Sequence, residues 1–317
     1  MASAIILRLG NEQFTLHPCG AGAQKVLQRL VASPFNTFLS HYNEPNIKGN
    51  YLAITDSLKF SELTYPKHLP ANEYLVWADF YNGLVASHQL KMISLGDEQD
   101  GDKTSIFFGS FNNIYSSNVS DQESQPQISA IYIGEKEESA HLRLMVCAIF
   151  ISTLLHVKHG GLCLHSAAVS RRGKGFLFLG ESGAGKSTVT KMSESVGCLA
   201  LGDDLNFVLQ TSKGGHQIAM AWPYSEGDAM LRPPLLGVFK LVQDKHDYLV
   251  RLSSRQAATE LFYVFKNQTS YTPRLPNDIF RFGFHTICDI TRSVPIYELH
   301  FRKSPDFWKL IDEQFPN

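Results

Sequence analysis

One segment constrains this chain more than any other: the eight residues from Gly180 to Ser187, which read GESGAGKS. They match G-x-x-x-x-G-K-[ST], the pattern of a loop that wraps around phosphate groups. Its glycines let the backbone turn tightly and point several N–H groups inward, and a following helix adds the positive end of its dipole. Residues 176–179 form an apolar run just before the loop, and residues 188–196 have helical spacing just after it. The sequence therefore predicts a nucleotide-binding P-loop, with a glycine-rich structural turn as the alternative.

Each position of the motif has an expected role. Lys186 supplies a mobile positive charge for the β- and γ-phosphates, and the Ser187 hydroxyl is a ligand for Mg²⁺. The residues expected to bind the cofactor are Gly180, Glu181, Ser182, Gly183, Ala184, Gly185, Lys186, Ser187 and Thr188. The predicted cofactors are ATP and Mg²⁺.

The strand before the loop has an unusual neighbour. A second apolar run at residues 162–169 precedes it, and a short polar linker at 170–174 that contains a glycine joins the two runs. Such a linker predicts an antiparallel hairpin. Most P-loop proteins instead pass from the first strand through the helix to a parallel strand. A hairpin that leads into the P-loop is unlike the arrangement in Ras or adenylate kinase.

This arrangement resembles the HPr kinase/phosphorylase and phosphoenolpyruvate carboxykinase group. His165 lies fifteen positions before Gly180, the distance at which that family carries its His-Gly motif. Asp203 and Asp204 begin seventeen positions after Lys186, where HPr kinases carry an Ala-Asp-Asp motif. The chain also resembles shorter kinase homologues encoded with peptide-modification cassettes, namely SynChlorMet cassette proteins and the serine kinases of lasso-peptide pathways. Those share an LHxAAV…G-x-SGAGKST…DD pattern, which this chain follows.

Two departures from HPr kinases bear on the substrate. Thr188 stands where HPr kinases have a glutamate after the P-loop serine, and the chain has no match to their Glu-Ile-Arg-Gly motif. The resemblance therefore does not predict HPr itself as the substrate.

The resemblance implies roles for three residues outside the loop. Asp203 would be the general base and Asp204 a ligand of the metal or of its water shell, although the reverse order stays open. His165 would lie beside the γ-phosphate, with a buried structural histidine as the alternative. Adjacent residues on a strand point to opposite sides, so both carboxylates can face one site only if the strand ends at Gly202. A solvated turn is the alternative for the acid pair.

Together these residues predict an ATP- and Mg²⁺-dependent kinase that transfers the γ-phosphoryl group to a serine hydroxyl of a peptide or small protein. Catalysis of this kind depends on positioning and on electrostatic stabilisation, to which Lys186 contributes. Two alternatives stay open. One is a non-catalytic nucleotide-binding regulatory module, and the other is a small-molecule kinase of the carboxykinase-like group.

The predicted fold class is α/β with α+β character. A carboxykinase-like P-loop nucleotide domain, with a mixed sheet and an antiparallel hairpin before the loop, is expected over residues 128–317. A mainly β accessory region is expected over 1–127. There, Asn82-Gly83 predicts a hairpin, residues 97–103 a solvated acidic loop, and residues 110–127 a boundary or exposed loop. Residues 135–156 are expected to form a helix.

Other polar residues carry weaker predictions. Glu226 and Asp228 could contact a second metal or the substrate, but an exposed acidic loop at 222–228 is the favoured interpretation. Arg171, Arg172 and Lys174 in the hairpin turn are expected to be solvated, with contact to a phosphate as the alternative. Farther along the chain, Ser253 with Gln256 predicts a capped helix start, and Ser304-Pro305 predicts another.

Composition bounds the partners and the compartment. A net charge of −1 over 317 residues gives no electrostatic footprint for nucleic acid or an acidic membrane. The longest apolar stretch, at 144–155, falls short of the about 20 residues that span a bilayer, and the N-terminal apolar run is too short for a signal peptide. Five scattered cysteines are expected to be reduced. We therefore predict a cytoplasmic protein with a peptide or small-protein substrate, no nucleic-acid or membrane partner, and possible homo-oligomerisation.

Overall fold

The computed structural model describes residues 4–19, 21–42, 50–55, 91–95, 104–109, 128–132, 140–222, 229–269 and 277–316. The chain divides into two units, one made of residues 1–8, 12–151 and 271–276 and the other of residues 9–11, 152–270 and 277–317. The domain boundary expected between residues 127 and 128 stays a prediction, because the segments 110–127 and 133–139 on either side lie outside the described residues.

The first unit contains a mixed sheet of seven described strands in the order β3-β1-β2-β4-β7-β6-β5. The strands are β1 Ala4–Leu9, β2 Glu12–Cys19, β3 Leu39–Tyr42, β4 Asn50–Thr55, β5 Lys91–Leu95, β6 Thr104–Gly109 and β7 Ile128–Tyr132. Helix α1 spans Ala21–Val31 and buries Val26, Leu27 and Leu30. The described residues of 1–127 are mainly β, as expected. The predictions at Asn82-Gly83, 97–103 and 110–127 concern positions outside the described residues.

The second unit is built on a mixed sheet of eight described strands in the order β12-β11-β8-β9-β13-β15-β14, with β10 also paired to β8. The strands are β8 Leu162–Arg171, β9 Lys174–Leu179, β10 Leu199–Gly202, β11 Leu205–Gln210, β12 His216–Met220, β13 Leu235–Gln243, β14 Tyr248–Arg251 and β15 Ile296–Phe301. Helix α2 spans Ala140–Lys158, and only its residues 152–158 belong to this unit. The other helices are α3 Lys186–Glu194, α4 Ser254–Thr269, α5 Asn277–Ser293 and α6 Phe307–Gln314. This mixture of helices and a mixed sheet confirms the predicted α/β class.

The predicted hairpin before the P-loop is confirmed. β8 and β9 pair antiparallel up to Arg171 and Lys174, and only Arg172 and Gly173 form the turn. Both turn residues have positive φ, 54° and 77°, as a type I′ turn requires. On its other side β9 pairs parallel with β13, which pairs parallel with β15. The sheet therefore changes from antiparallel to parallel at the strand that precedes the loop.

Alternating apolar residues on these strands form the core of one sheet face. The Phe178 and Phe239 rings stack at 5.4 Å between centroids, and Phe307 and Trp308 of α6 pack against Phe178. Val189 of α3 is buried in the same cluster. The core thus fixes the helix that follows the P-loop to the strand that precedes it.

The basic residues near the hairpin turn hold the end of the chain. Arg171 forms two hydrogen bonds of 2.7 and 2.8 Å with the Asp312 carboxylate and lies 5.0 Å from the Trp308 ring centroid. Lys174 Nζ donates to the carbonyl oxygens of Phe315 and Pro316. Arg171 and Lys174 bind the C-terminal segment, so the expectation that they are solvated is wrong, whereas Arg172 is exposed as expected. The turn lies at the opposite end of β9 from the P-loop, so none of the three can meet a phosphate bound there.

Of the two predicted helix starts, one is confirmed and one is wrong. Ser253 and Gln256 form the expected capping box, in which the Ser253 N–H donates to Gln256 Oε1 and the Gln256 N–H donates to Ser253 Oγ. The start predicted at Ser304 is wrong by two residues, because the N-cap of α6 is Asp306. Ser304 Oγ instead accepts from the Asp306 N–H within the turn before the helix.

No helix within the described residues has both the length and the apolar character that crossing a membrane requires.

His156 is buried in the second unit. Its Nε2 lies 3.1 Å from the Leu9 carbonyl oxygen, and its ring meets the edge of Phe207 at 4.8 Å. Burial lowers the pKa of His156 from 6.5 to about 4, and the contact with Leu9 acts in the opposite direction. The imidazole is therefore neutral in the folded protein near pH 7.

The buried imidazole should make stability depend on pH. Between pH 6.5 and 4 the unfolded chain binds a proton at His156 that the folded chain does not, so the free energy of unfolding falls as pH falls. From pH 7 to pH 5 this loss should be about 2 kcal/mol and should disappear in His156→Gln, which keeps a donor for Leu9. Urea unfolding at both pH values measures it. His246→Gln, at an exposed position, is the control and should behave as the wild type; equal losses in all three proteins would contradict the assignment.

Candidate functional site

The glycine-rich loop lies at the carboxyl end of β9 and leads directly into α3. Gly183 has φ +84°, and Gly185, the N-cap of α3, has φ +108°. These are left-handed conformations that glycine adopts without strain. The Ala184 N–H donates to the Glu181 carbonyl, and the Val189 N–H donates to the Gly185 carbonyl. The loop thus has the strand–loop–helix context that the motif requires.

Residues distant in sequence fix the loop. Gln243 Nε2, at the end of β13, donates to the Gly183 carbonyl at 3.0 Å. A Cβ at Gly185 would lie 3.0 Å from Phe301 Cζ of β15. The Tyr263 hydroxyl of α4 donates to Glu181 Oε1 at 3.2 Å. The sequence analysis missed these three supporting residues, because no local motif connects them to the loop.

Lys186 is buried at the start of α3. Its Nζ donates to the carbonyl oxygens of Gly180 at 2.8 Å and Glu181 at 3.2 Å. Burial lowers the pKa of Lys186, and the charges of Asp204 and Asp203 act in the opposite direction. The ammonium group is therefore held at the loop and lies in the field of both carboxylates. Ser187, the next residue, is exposed.

The acid pair lies where a strand is interrupted. β10 ends at Gly202 and β11 begins at Leu205, and both pair antiparallel with β8. A register shift between Ala200 and Gly202 marks a β-bulge, a device that re-aims side chains beside functional sites. The strand therefore ends at Gly202, the condition under which both carboxylates can face one site. Asp203 and Asp204 are both partly exposed.

His165 completes the group. It lies on β8 opposite Leu205, and its Nε2 is 3.3 Å from Asp204 Oδ1. About half of each side chain is exposed, 48% and 49%, so a buried structural histidine does not fit this position. Burial of the ring and the charge of Lys186 lower the pKa of His165, while Asp204 acts in the opposite direction.

The structure thus brings together His165, Lys186, Asp203 and Asp204 at the P-loop. The predicted loop residues, from Gly180 to Thr188, all lie at the same edge of the sheet. Glu226 and Asp228, the weaker candidates, lie outside the described residues. The roles of these residues in catalysis and in cofactor binding stay predictions.

The polar groups at this loop fit Mg²⁺ and a nucleoside triphosphate. Apart from Gly183 and its two chain neighbours, no atom of the described residues lies within 4 Å of the position that a Cβ on Gly183 would take, so this part of the loop is open to a ligand. The exposed Ser187 hydroxyl and the partly exposed Asp204 carboxylate are the hard oxygen ligands that Mg²⁺ prefers. Loop N–H groups and the start of α3 favour an anion at the same place.

A family model, that of SynChlorMet cassette protein ScmC, matches residues 131–316, which is more than half of the chain. This chain belongs to the SynChlorMet cassette protein ScmC family. The match contains the P-loop, His165 and the acid pair, and it confirms the resemblance to cassette proteins. A search of curated proteins finds no match. The likeness of this ScmC protein to HPr kinases stays a resemblance in motifs.

Two glycines allow a matched test of the loop. Gly183 and Gly214 both have φ +84° and open space where a Cβ would stand, but Gly214 lies in the turn between β11 and β12. Alanine strains both backbones by a similar amount, about 1–2 kcal/mol. We expect Gly183→Ala to weaken binding of a fluorescent ATP analogue with Mg²⁺ by about tenfold, because the strained free loop can relax and must regain its conformation to bind phosphate. Gly214→Ala should bind as the wild type.

Equal affinities in the two variants would contradict a role for the loop in phosphate binding. This holds both if neither variant loses affinity and if both lose it together. Thermal unfolding of each variant, measured in parallel, compares the loss of stability that each alanine causes.

Proposed function

We propose that this protein is an ATP- and Mg²⁺-dependent kinase that transfers the γ-phosphoryl group to a serine hydroxyl of a peptide or small protein. One observation carries the proposal: Asp203, Asp204 and His165 lie at the same loop as Lys186. Burial lowers the pKa of that lysine, and the negative charges of both carboxylates act in the opposite direction. A site that only binds a nucleotide needs the loop and the lysine but has little need of an acid pair.

The loop side of the site would bind and orient the phosphates. Backbone N–H groups of the loop donate to phosphate oxygens, and Lys186 adds a fixed positive charge. Ser187 and Asp204 would hold Mg²⁺, which neutralises the charge on the phosphate oxygens when bound. Because Lys186 Nζ already donates to two loop carbonyls, its position is set before a ligand arrives.

The acid pair would serve the acceptor. As the serine oxygen forms its bond to the γ-phosphorus, the bond from that phosphorus to the β–γ bridging oxygen breaks. Asp203 receives the serine proton on a carboxylate oxygen. His165, whose Nε2 lies 3.3 Å from Asp204 Oδ1, would donate a hydrogen bond to a phosphate oxygen or to the base.

Two observations support a peptide or protein as the acceptor. The resemblance to kinases encoded with peptide-modification cassettes favours such a substrate. In addition, His165 and Asp204 are each about half exposed, so a hydroxyl on a large molecule can reach the site.

We also propose a cytoplasmic location. Cys198 is a buried free cysteine, and Cys288 is a partly buried one. Reduced cysteines are typical of that compartment.

Transfer of radioactive phosphate tests the proposal. The probes are Mg-[γ-³²P]ATP and a randomised peptide library containing serine, with an alanine-substituted library as the negative control. We expect Asp203→Asn to lower the transfer rate by about 10²- to 10⁴-fold, the usual contribution of a general base, while nucleotide affinity stays within about threefold. Asp289→Asn, at an exposed position on α5, is the control and should transfer phosphate as the wild type does.

Three other results are informative. If Asp204→Asn abolishes transfer and Asp203→Asn changes only the Mg²⁺ dependence, the two roles are reversed. If the wild type binds nucleotide but makes neither phosphopeptide nor free phosphate, the kinase proposal fails and a regulatory module is supported. Transfer to a small alcohol but to no peptide would instead support a small-molecule kinase.

A further inference from the structure

The acid pair interrupts a strand ladder that continues on both sides of it. Gly202 stands opposite Ala168 and Leu205 opposite His165, so the register does not change between them and Asp204 stands opposite Ser166. The Ser166 N–H donates to the Asp204 carbonyl at 2.9 Å. A regular antiparallel pair of this kind also has the return bond. Among the described residues, the Asp204 N–H makes no such bond to the Ser166 carbonyl.

The side chain of Asn206 takes that carbonyl instead. Its Nδ2 donates to the Ser166 carbonyl oxygen at 2.7 Å and lies 3.2 Å from Ser166 Oγ. Asn206 is fully buried on β11, and its Oδ1 has no hydrogen-bond partner among the described residues. An unpaired buried oxygen destabilises a fold, and an apolar residue would avoid this cost. The bond from Nδ2 is therefore the feature that the asparagine contributes.

We propose that Asn206 is a positioning residue for the acid pair. Its side-chain amide binds the Ser166 carbonyl to which the Asp204 N–H would otherwise donate, and so keeps Asp203 and the Asp204 N–H out of the ladder. In a continuous strand the two carboxylates would alternate between the sheet faces. Released from the ladder, both can turn towards Lys186. The importance of this for catalysis rests on the proposed function.

Gly202 belongs to the same device. A Cβ on Gly202 would lie 2.6 Å from Asn206 Oδ1, closer than real side chains approach. Its backbone conformation is one that other residues adopt, so the amide of Asn206 is the reason for a glycine here. Gly202 and Asn206 should therefore be coupled in mutational tests.

Asn206→Ala tests the positioning role through catalysis. We expect kcat to fall by about 10- to 100-fold, the cost of a misplaced catalytic group, with nucleotide affinity within about threefold of the wild type. Val208→Ala is the matched control, because Val208 is also fully buried on β11 and points to the same sheet face. It should keep kcat near the wild-type value. Circular dichroism verifies that each variant is folded.

Asn206→Asp supplies a second variant with a different readout. A protonated carboxyl group can donate to the Ser166 carbonyl and a carboxylate cannot, so its activity relative to wild type should rise as pH falls. A constant ratio across the pH range would contradict the role of the donated hydrogen bond.

The exchange of the Asp204 amide hydrogen tests positioning without relying on kinase activity. Among the described residues, the Asp204 N–H makes no hydrogen bond to the Ser166 carbonyl, to which Asn206 Nδ2 donates. Without that side-chain amide the Asp204 N–H can complete the ladder, so we expect its exchange, followed by NMR, to be slower in Asn206→Ala than in the wild type. Val208→Ala should leave the exchange rate unchanged.

The outcomes separate the two proposals. If the wild type transfers no phosphate but Asn206→Ala still slows exchange of the Asp204 amide hydrogen, the kinase function fails and the positioning role stands. If that exchange in Asn206→Ala is as fast as in the wild type, the positioning role is overturned, whatever the transfer rate.

A double variant tests the coupling. Gly202→Ala alone should lower the rate of phosphate transfer. In the Asn206→Ala background it should change this rate by less than about twofold, because the contact between the new Cβ and Asn206 Oδ1 is gone. In a protein without transferase activity, exchange of the Asp204 amide hydrogen is compared in the same four proteins. Additive effects would contradict the shared device.

Discussion

The pairing of β8 with β9 is the interaction on which the candidate site depends. A P-loop by itself supplies a lysine and a row of backbone N–H groups. The antiparallel ladder adds a strand alongside, so that His165 lies beside the loop although fifteen residues separate it from Gly180. The other edge of β8 pairs with β10 and β11, and the acid pair lies between these two strands in sequence. One strand thus joins the phosphate-binding half of the site to its carboxylates.

The local structure follows from departures from regularity. Glycine residues at positive φ form the loop, a bulge and a bend interrupt the strand beside β8, and a buried asparagine occupies a ladder carbonyl. Each departure has a cost in free energy, and each occurs next to the residues that the proposed chemistry uses. Regular strands and the aromatic core on either side hold these irregular segments in place.

Much of this could be predicted from the sequence, because the relevant signals are local. The P-loop spacing, the hairpin and the strand end at Gly202 each depend on a few adjacent residues. The supports from Gln243 and Tyr263 could not be predicted, since they arise from strand order and helix packing. Arg171 was misjudged for the same reason: its partner, Asp312, is distant in sequence. Asn206 shows no motif, and its role becomes visible only in the ladder.

A crystal structure with Mn²⁺ and a non-hydrolysable ATP analogue tests the central claim most directly, because the anomalous signal of Mn²⁺ locates the metal independently of the protein. The account predicts Mn²⁺ bound by Ser187 Oγ and by Asp204 directly or through one water, with an Asp203 oxygen facing the γ-phosphate. A nucleotide bound away from the loop, or an acid pair too far from the γ-phosphate for even a water-bridged contact, would contradict it.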